Sequence, residues 1–220
     1  MKHANRLLHW VAGLLLASAI LALAVAVTLH FRPLYVRDVR AYDLSQATGM
    51  SEADILRQYD ALIDYNSIGG AEQLEFPDLP SSPTGLIHFA EVKVIFLAFQ
   101  WWAVLGTALS VLLAALLRRQ RPRRWLKYAG LVSLLFPAGV GLGVALMWDR
   151  VFVWFHELFF RNDYWLFSAE TDPIILLLPD GYFMHCAVLI IALFLLGGAV
   201  CLGLYVLSRR KEKQREKTAA

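Results

Sequence analysis

Residues 183–207 read FMHCAVLIIALFLLGGAVCLGLYVL, a run without Asp, Glu, Lys or Arg and with His185 close to its beginning. About 20 apolar residues carry a helix across the ~30 Å hydrocarbon core of a bilayer, so this stretch reads as a membrane span. Three further runs of comparable length occur, from Leu8 to Leu29, from Val94 to Leu117 just after Lys93, and from Tyr128 to Trp148. With 58% apolar and 18% charged residues among 220, and a positive mean hydropathy, the chain lies outside the range of soluble domains. The expectation is an all-α membrane protein, one membrane domain over residues 1–220, with transmembrane helices at 8–29, 94–117, 128–148 and 183–207. A small extracytoplasmic cap is expected from the two outer connections, 30–91 and 149–182. Lys2 and Arg6 precede the first run as in a signal peptide, but the run exceeds the usual apolar region of about 7–15 residues, so a retained anchor is expected.

Lysine and arginine collect in two places. The link RRQRPRRWLK, residues 118–127, carries six basic residues and no acid, and the tail RRKEKQREKTAA, residues 209–220, carries six against two acids. Short basic segments stay in the cytoplasm, so both termini and this link are expected inside, and the acid-rich connections 30–91 and 149–182 outside. A net charge of +3 distributed in this way reflects topology and anionic lipid, and no nucleic-acid partner is expected.

Cys186 and Cys201 both fall in the fourth run, with no C-x-x-C spacing, and are expected to act as small apolar residues rather than metal ligands. In PAGVGLG, residues 137–143, Gly139 and Gly143 are spaced for close helix contact and Pro137 for a kink. The spans carry few polar groups and no paired interrupted helices, which argues against a transporter.

The outer connections hold the chemistry. SEADILRQYDALIDY, residues 51–65, opens with Ser51 followed by Asp54, a helix-start pattern, and Ile55, Leu56, Tyr59, Leu62 and Ile63 then recur on one face. EFPDLPSSPTG, residues 75–85, has three prolines and a glycine that bar long regular structure before the chain returns to the membrane. At that return stands LIHFAEVKVIF, residues 86–96, in which His88 and Glu91 share a helical face while Lys93 points elsewhere and can snorkel toward headgroups.

The second connection contains WFHELFFRNDYWLF, residues 154–167, an aromatic belt of the kind found at membrane interfaces. A belt needs no titratable groups, yet His156, Glu157, Asn162 and Asp163 lie among Tyr164, Trp165 and their neighbours, with Thr171 and Asp172 close behind. His156-Glu157 is half of the H-E-x-x-H zinc motif, and Phe160 occupies the place of its second histidine. No G-x-S-x-G elbow occurs. His88 and His156 therefore remain as an acid/base pair at the outer boundary, one imidazole taking a proton from a nucleophile and the other giving one to a leaving group. A site at that boundary suits an amphiphilic substrate.

IHFAEVKVIF, FHELFFRNDYWLF and TDPIILLLPDGYF, set on four spans with two outer connections, resemble the bacterial integral membrane family of lipoprotein intramolecular transacylases. The resemblance implies four transmembrane helices beneath an extracellular cap, with His88 and His156 as the catalytic pair. Glu91, Lys93, Glu157, Asn162, Asp163, Tyr164, Trp165, Thr171 and Asp172 stand as supporting or substrate-binding candidates. It further implies transfer of the sn-2 acyl chain of a diacylglyceryl lipoprotein to the amino group of its N-terminal cysteine. No cofactor or metal is expected, and the partners are the lipoprotein substrate and the lipids of the bacterial plasma membrane. The chain departs from the family pattern at Phe89 and Glu91, where a methionine and an aspartate are usual. Two alternatives stay open: a non-enzymatic partner or sensor, and a lipid-directed hydrolase or acyltransferase with a separate nucleophile.

Overall fold

The computed structural model of the chain describes residues 2–117 and 123–219, so residues 118–122 of the basic link lie outside it. Every regular element among the described residues is helical: α1 (Lys2–Leu29), α2 (Arg32–Ala41), α3 (Leu44–Thr48), α4 (Glu52–Tyr65), α5 (Pro83–Leu116), α6 (Arg124–Phe159), a 3-10 turn at Pro173–Leu177, and α7 (Asp180–Ala219). Helices α1, α5, α6 and α7 are each long and apolar enough to cross a membrane.

These helices outrun the apolar stretches. With 34 and 36 residues, α5 and α6 are each roughly 50 Å long at ~1.5 Å per residue, well beyond a ~30 Å hydrocarbon core. The expectation that prolines bar regular structure in 75–85 holds only as far as Ser82. Pro83 is the first residue of α5, where a missing N–H removes nothing the helix needs, and the Ser82 hydroxyl oxygen accepts the Gly85 N–H at 2.9 Å. In α6 the departure from helical dihedrals falls at Met147 (φ −150°, ψ 47°), not at Pro137.

The chain divides into two units. The first comprises Met1–Val25, Trp101–Leu142 and Leu189–Ala220. Its core gathers Ala12, Leu117, Trp125, Leu126, Ala129 and Cys201, and Trp10 stacks on Tyr128 at 3.9 Å. Close approach of α6 and α7 is made at Gly130 and Gly198, where an added Cβ would run into Leu202 and Ser133. A Cβ at Gly139 would meet open space, so the close contact expected there is not made.

The second unit, Ala26–Gln100 with Gly143–Val188, holds the candidate site. The Ser51 hydroxyl caps α4 by accepting the Asp54 N–H at 3.2 Å and donates to the Asp54 carboxylate at 2.7 Å. That hydroxyl first, and Arg57 after it, hold the Asp54 carboxyl below the usual carboxylate range. Ile55, Tyr59 and Leu62 are buried, as their spacing predicts, against Tyr35 and Val39 of α2 and Ile174 and Leu177 of the 3-10 turn. Tyr35 stacks on Tyr59 at 3.8 Å and donates its hydroxyl to the Leu177 carbonyl at 2.8 Å. The Tyr59 and Tyr182 hydroxyls meet at 3.0 Å. Burial raises the Tyr35 hydroxyl above its ordinary pKa and pushes Tyr59 up to about 12.

Candidate active site

His88 lies near the start of α5 and His156 in the last turn of α6. Their ring centroids are 6.0 Å apart with planes inclined by 30°. His88 is only 5% exposed, with Phe160 at 4.7 Å and Phe167 at 5.5 Å from its ring, and its buried Nδ1 has no hydrogen-bond partner among the described residues. His156 is half-buried between the Phe152 ring at 4.3 Å and the Trp165 indole, which stacks on it at 4.6 Å.

Helix geometry fixes the tautomer of His156. Its Nδ1 lies 2.8 Å from the carbonyl oxygen of Phe152, one turn back, and a carbonyl only accepts, so Nδ1 donates. In the neutral ring Nε2 is then the lone-pair nitrogen, free to take a proton.

The segment following α6 runs back along α5. Two residues beyond Phe160, the Asn162 amide donates to the Glu91 carboxylate at 3.0 and 3.3 Å, while its Oδ1 accepts the Tyr164 N–H at 3.1 Å. The amide is therefore oriented at both ends, and the turn that bears Trp165 is tied to the helix that bears His88. No carboxylate makes a hydrogen bond to either imidazole among the described residues.

The family described as lipoprotein intramolecular transacylase Lit matches residues 10–183. The chain belongs to this family. The solved in meso structure of the membrane integral lipoprotein intramolecular transacylase Lit from Bacillus cereus is 32% identical to it, with a TM-score of 0.93 over 97% of this chain and 100% of that one. Two further structures of the Bacillus cereus protein, one with a histidine replaced by arginine and one with a histidine replaced by alanine, give TM-scores of 0.86 over 97% of this chain. They are matched over 96% and 97% of their own length, respectively. No curated protein matches the sequence. Family membership makes this an acyltransferase-type enzyme of the membrane, acting on lipoprotein.

The other candidates fall into groups. Trp165 stacks on His156, while Glu91, Asn162 and the Tyr164 N–H are joined to one another by hydrogen bonds. Glu157 and Asp163 are exposed, and the side chain of neither makes a hydrogen bond or ion pair among the described residues. Lys93 turns away, donating to the Ala71 carbonyl at 2.6 Å with its ammonium 4.1 Å from the centre of the Tyr65 ring. Thr171 and Asp172 form a latch. The buried Asp172 carboxylate accepts the Thr171 hydroxyl at 2.7 Å and the Ser82 N–H at 2.8 Å, seating the first turn of α5 ahead of His88.

One ionisable pair in this unit escaped the sequence reading. His185 Nδ1 donates to the carboxylate of the fully buried Asp38 at 2.8 Å. Its visible trace was a titratable residue inside an otherwise uncharged run, but Asp38 gave no sign of being its partner.

Proposed function

We propose that the protein moves the sn-2 acyl chain of a diacylglyceryl lipoprotein to the amino group of that lipoprotein's own N-terminal cysteine, leaving the lyso form. The observation that carries this reading is the pair of imidazoles with centroids 6.0 Å apart among aromatic rings. Substrate supplies both nucleophile and ester, so the protein needs proton carriers and a mould, and no nucleophile of its own.

The chemistry assigns a role to each ring. An α-amino group is mostly ammonium at neutral pH, and His88 accepts its first proton. As nitrogen attacks the acyl carbon, Nε2 of His156 accepts the second proton, the only one of its ring nitrogens with a lone pair to offer. The bond between acyl carbon and glycerol oxygen breaks, and His88 returns its proton to that oxygen. The proton on His156 passes to water. Ammonium and ester become amide and alcohol with one proton released, as the balance requires. Phe152, Phe160, Trp165 and Phe167 hold a flexible lipid folded on itself, which supplies the orientation an intramolecular transfer depends on.

In this reading the spans are 8–29, 94–117, 128–148 and 183–207, and the segments 30–91 and 149–182 form the cap. Both termini lie in the cytoplasm, by the charge of the link and tail, and the histidines at the extracytoplasmic boundary. The test is incubation of the purified protein with a defined diacylated lipopeptide, followed by mass spectrometry. Unchanged total mass with one acyl chain on nitrogen is expected. Release of a fatty acid would make the protein a hydrolase, and an unaltered lipopeptide would leave no enzymatic role.

A further inference from the structure

Glu91 lies three residues beyond His88 on α5, so the two side chains share a face. Its carboxylate is half-buried and, among the described residues, receives only the Asn162 amide. Five carboxylates of this unit, though not Glu157, Asp163 or Asp172, find cations: Asp60 has Arg32, Glu52 has Arg40, Asp54 and Asp78 share Arg57, and Asp38 has Arg37 and His185. No cation lies within ion-pair distance of Glu91 among the described residues, and the nearest lysine in sequence, Lys93, is engaged by Ala71 and Tyr65. A carboxylate has about four acceptor positions, and one amide N–H₂ group leaves most of them open. One turn back on the same helix, Nδ1 of His88 is buried with no hydrogen-bond partner among the described residues.

Resting on the function proposed above, we infer that Glu91 binds the α-ammonium group of the substrate's N-terminal cysteine. That group is the one cation on a terminus otherwise made of acyl chains and esters. Its desolvation among aromatic rings is unfavourable unless an anion meets it. Glu91 holds the ammonium one turn from His88, which takes the proton. The same charge discriminates. A bilayer consists of diacylglycerol esters whose headgroups carry phosphate, and a fixed carboxylate repels a phosphate where it welcomes an ammonium. Glu91 thereby separates the lipoprotein from lipids that offer the same sn-2 ester.

The experiment uses the full chain in detergent and two ligands, a diacylglyceryl lipopeptide with a free N-terminal amine and its desamino counterpart. The wild type binds the amine form about tenfold or more tightly, since a charge-assisted contact is lost in the other. Glu91→Gln, which keeps an acceptor for Asn162, loses that preference: its affinity for the amine form and its 1/KM fall about tenfold, the desamino form binds as before, and kcat changes less. Glu91→Asp keeps the preference. Equal weakening of both ligands by Glu91→Gln, or equal affinity of the wild type for the two, overturns the inference, and the second reading needs no variant to fold. Equal affinity alongside acyl transfer by the wild type overturns this inference alone, whereas absence of acyl transfer overturns the reading beneath it.

Discussion

His156 donates its Nδ1–H to the carbonyl of Phe152 at 2.8 Å, so the backbone of its own helix decides which ring nitrogen keeps a lone pair in the neutral imidazole. A histidine oriented in this way needs no carboxylate behind it. The pair differs in this respect from a hydrolase triad, where an acid orients the base.

His88→Ala and His156→Ala should each slow acyl transfer by about 100-fold or more, and the double variant should be little worse than the poorer single one, because the two act as a unit. Mass spectrometry of the lipopeptide measures all three. A single variant within threefold of the wild type would remove that histidine from the mechanism.

Asn162 is a donor that cannot be exchanged for an acceptor. Asn162→Asp places a second carboxylate against Glu91, whereas Asn162→Ala only deletes the hydrogen bonds. The aspartate variant should transfer acyl chains more slowly than the alanine variant, although it is closer in shape. The reverse order of rates would show that the Glu91 contact is incidental.

Gly85 faces the Asp172 carboxylate so closely that an added Cβ would collide with it. Gly85→Ala should destabilise by about 1–3 kcal/mol and displace His88 enough to reduce activity. Asp172→Ala removes the obstacle, so the two changes should combine to less than their sum. Thermal unfolding in detergent of the single and double variants measures the coupling, and strict additivity would contradict the close approach.

Removing His185 leaves the carboxylate of Asp38, which is 0% exposed, with Arg37 at 3.5 Å as its one cation among the described residues. His185→Ala should destabilise by about 3 kcal/mol, and Asp38→Asn in the same chain should restore part of that by removing the stranded charge. Unfolding midpoints that fall further in the double variant would rule this out.

At alkaline pH the buried tyrosines set a limit. Tyr59 holds its proton in the folded state up to about 12, against an unfolded value of 10.0, so its contribution is whole below pH 10 and is lost as pH climbs through 12. Tyr35 shifts in the same direction. Stability should fall between pH 10 and 12 by about 1.4 kcal/mol per pH unit for each tyrosine. Tyr59→Phe should flatten the decline, and an unchanged slope in that variant would assign the loss elsewhere.

Much of this was legible along the chain because it depends on neighbours in sequence. Uncharged runs announced the four long helices, Ser51 and Asp54 announced α4, and His88 and His156 each stood at the edge of an apolar run near acids. What stayed hidden depends on partners far apart. Glu91 invited a pairing with His88 by helical spacing, yet its hydrogen bonds come from Asn162 across the second connection. Asp172, to which the Thr171 hydroxyl donates, is fastened to Ser82 at the foot of α5, a partner ninety positions away. Periodicity alone left α5 beginning too late, because Pro83 punctuates a turn and opens a helix with the same ring.

Met147 interrupts the dihedral sequence of α6 upstream of His156. Successive residues of an unbroken helix advance by about 100°, so the azimuth of every side chain follows from those before it. One residue outside that progression resets the clock. The bearing of His156 is consequently offset from the progression that the earlier turns of α6 set, and a change of a few tens of degrees at this single joint would swing its imidazole toward or away from His88.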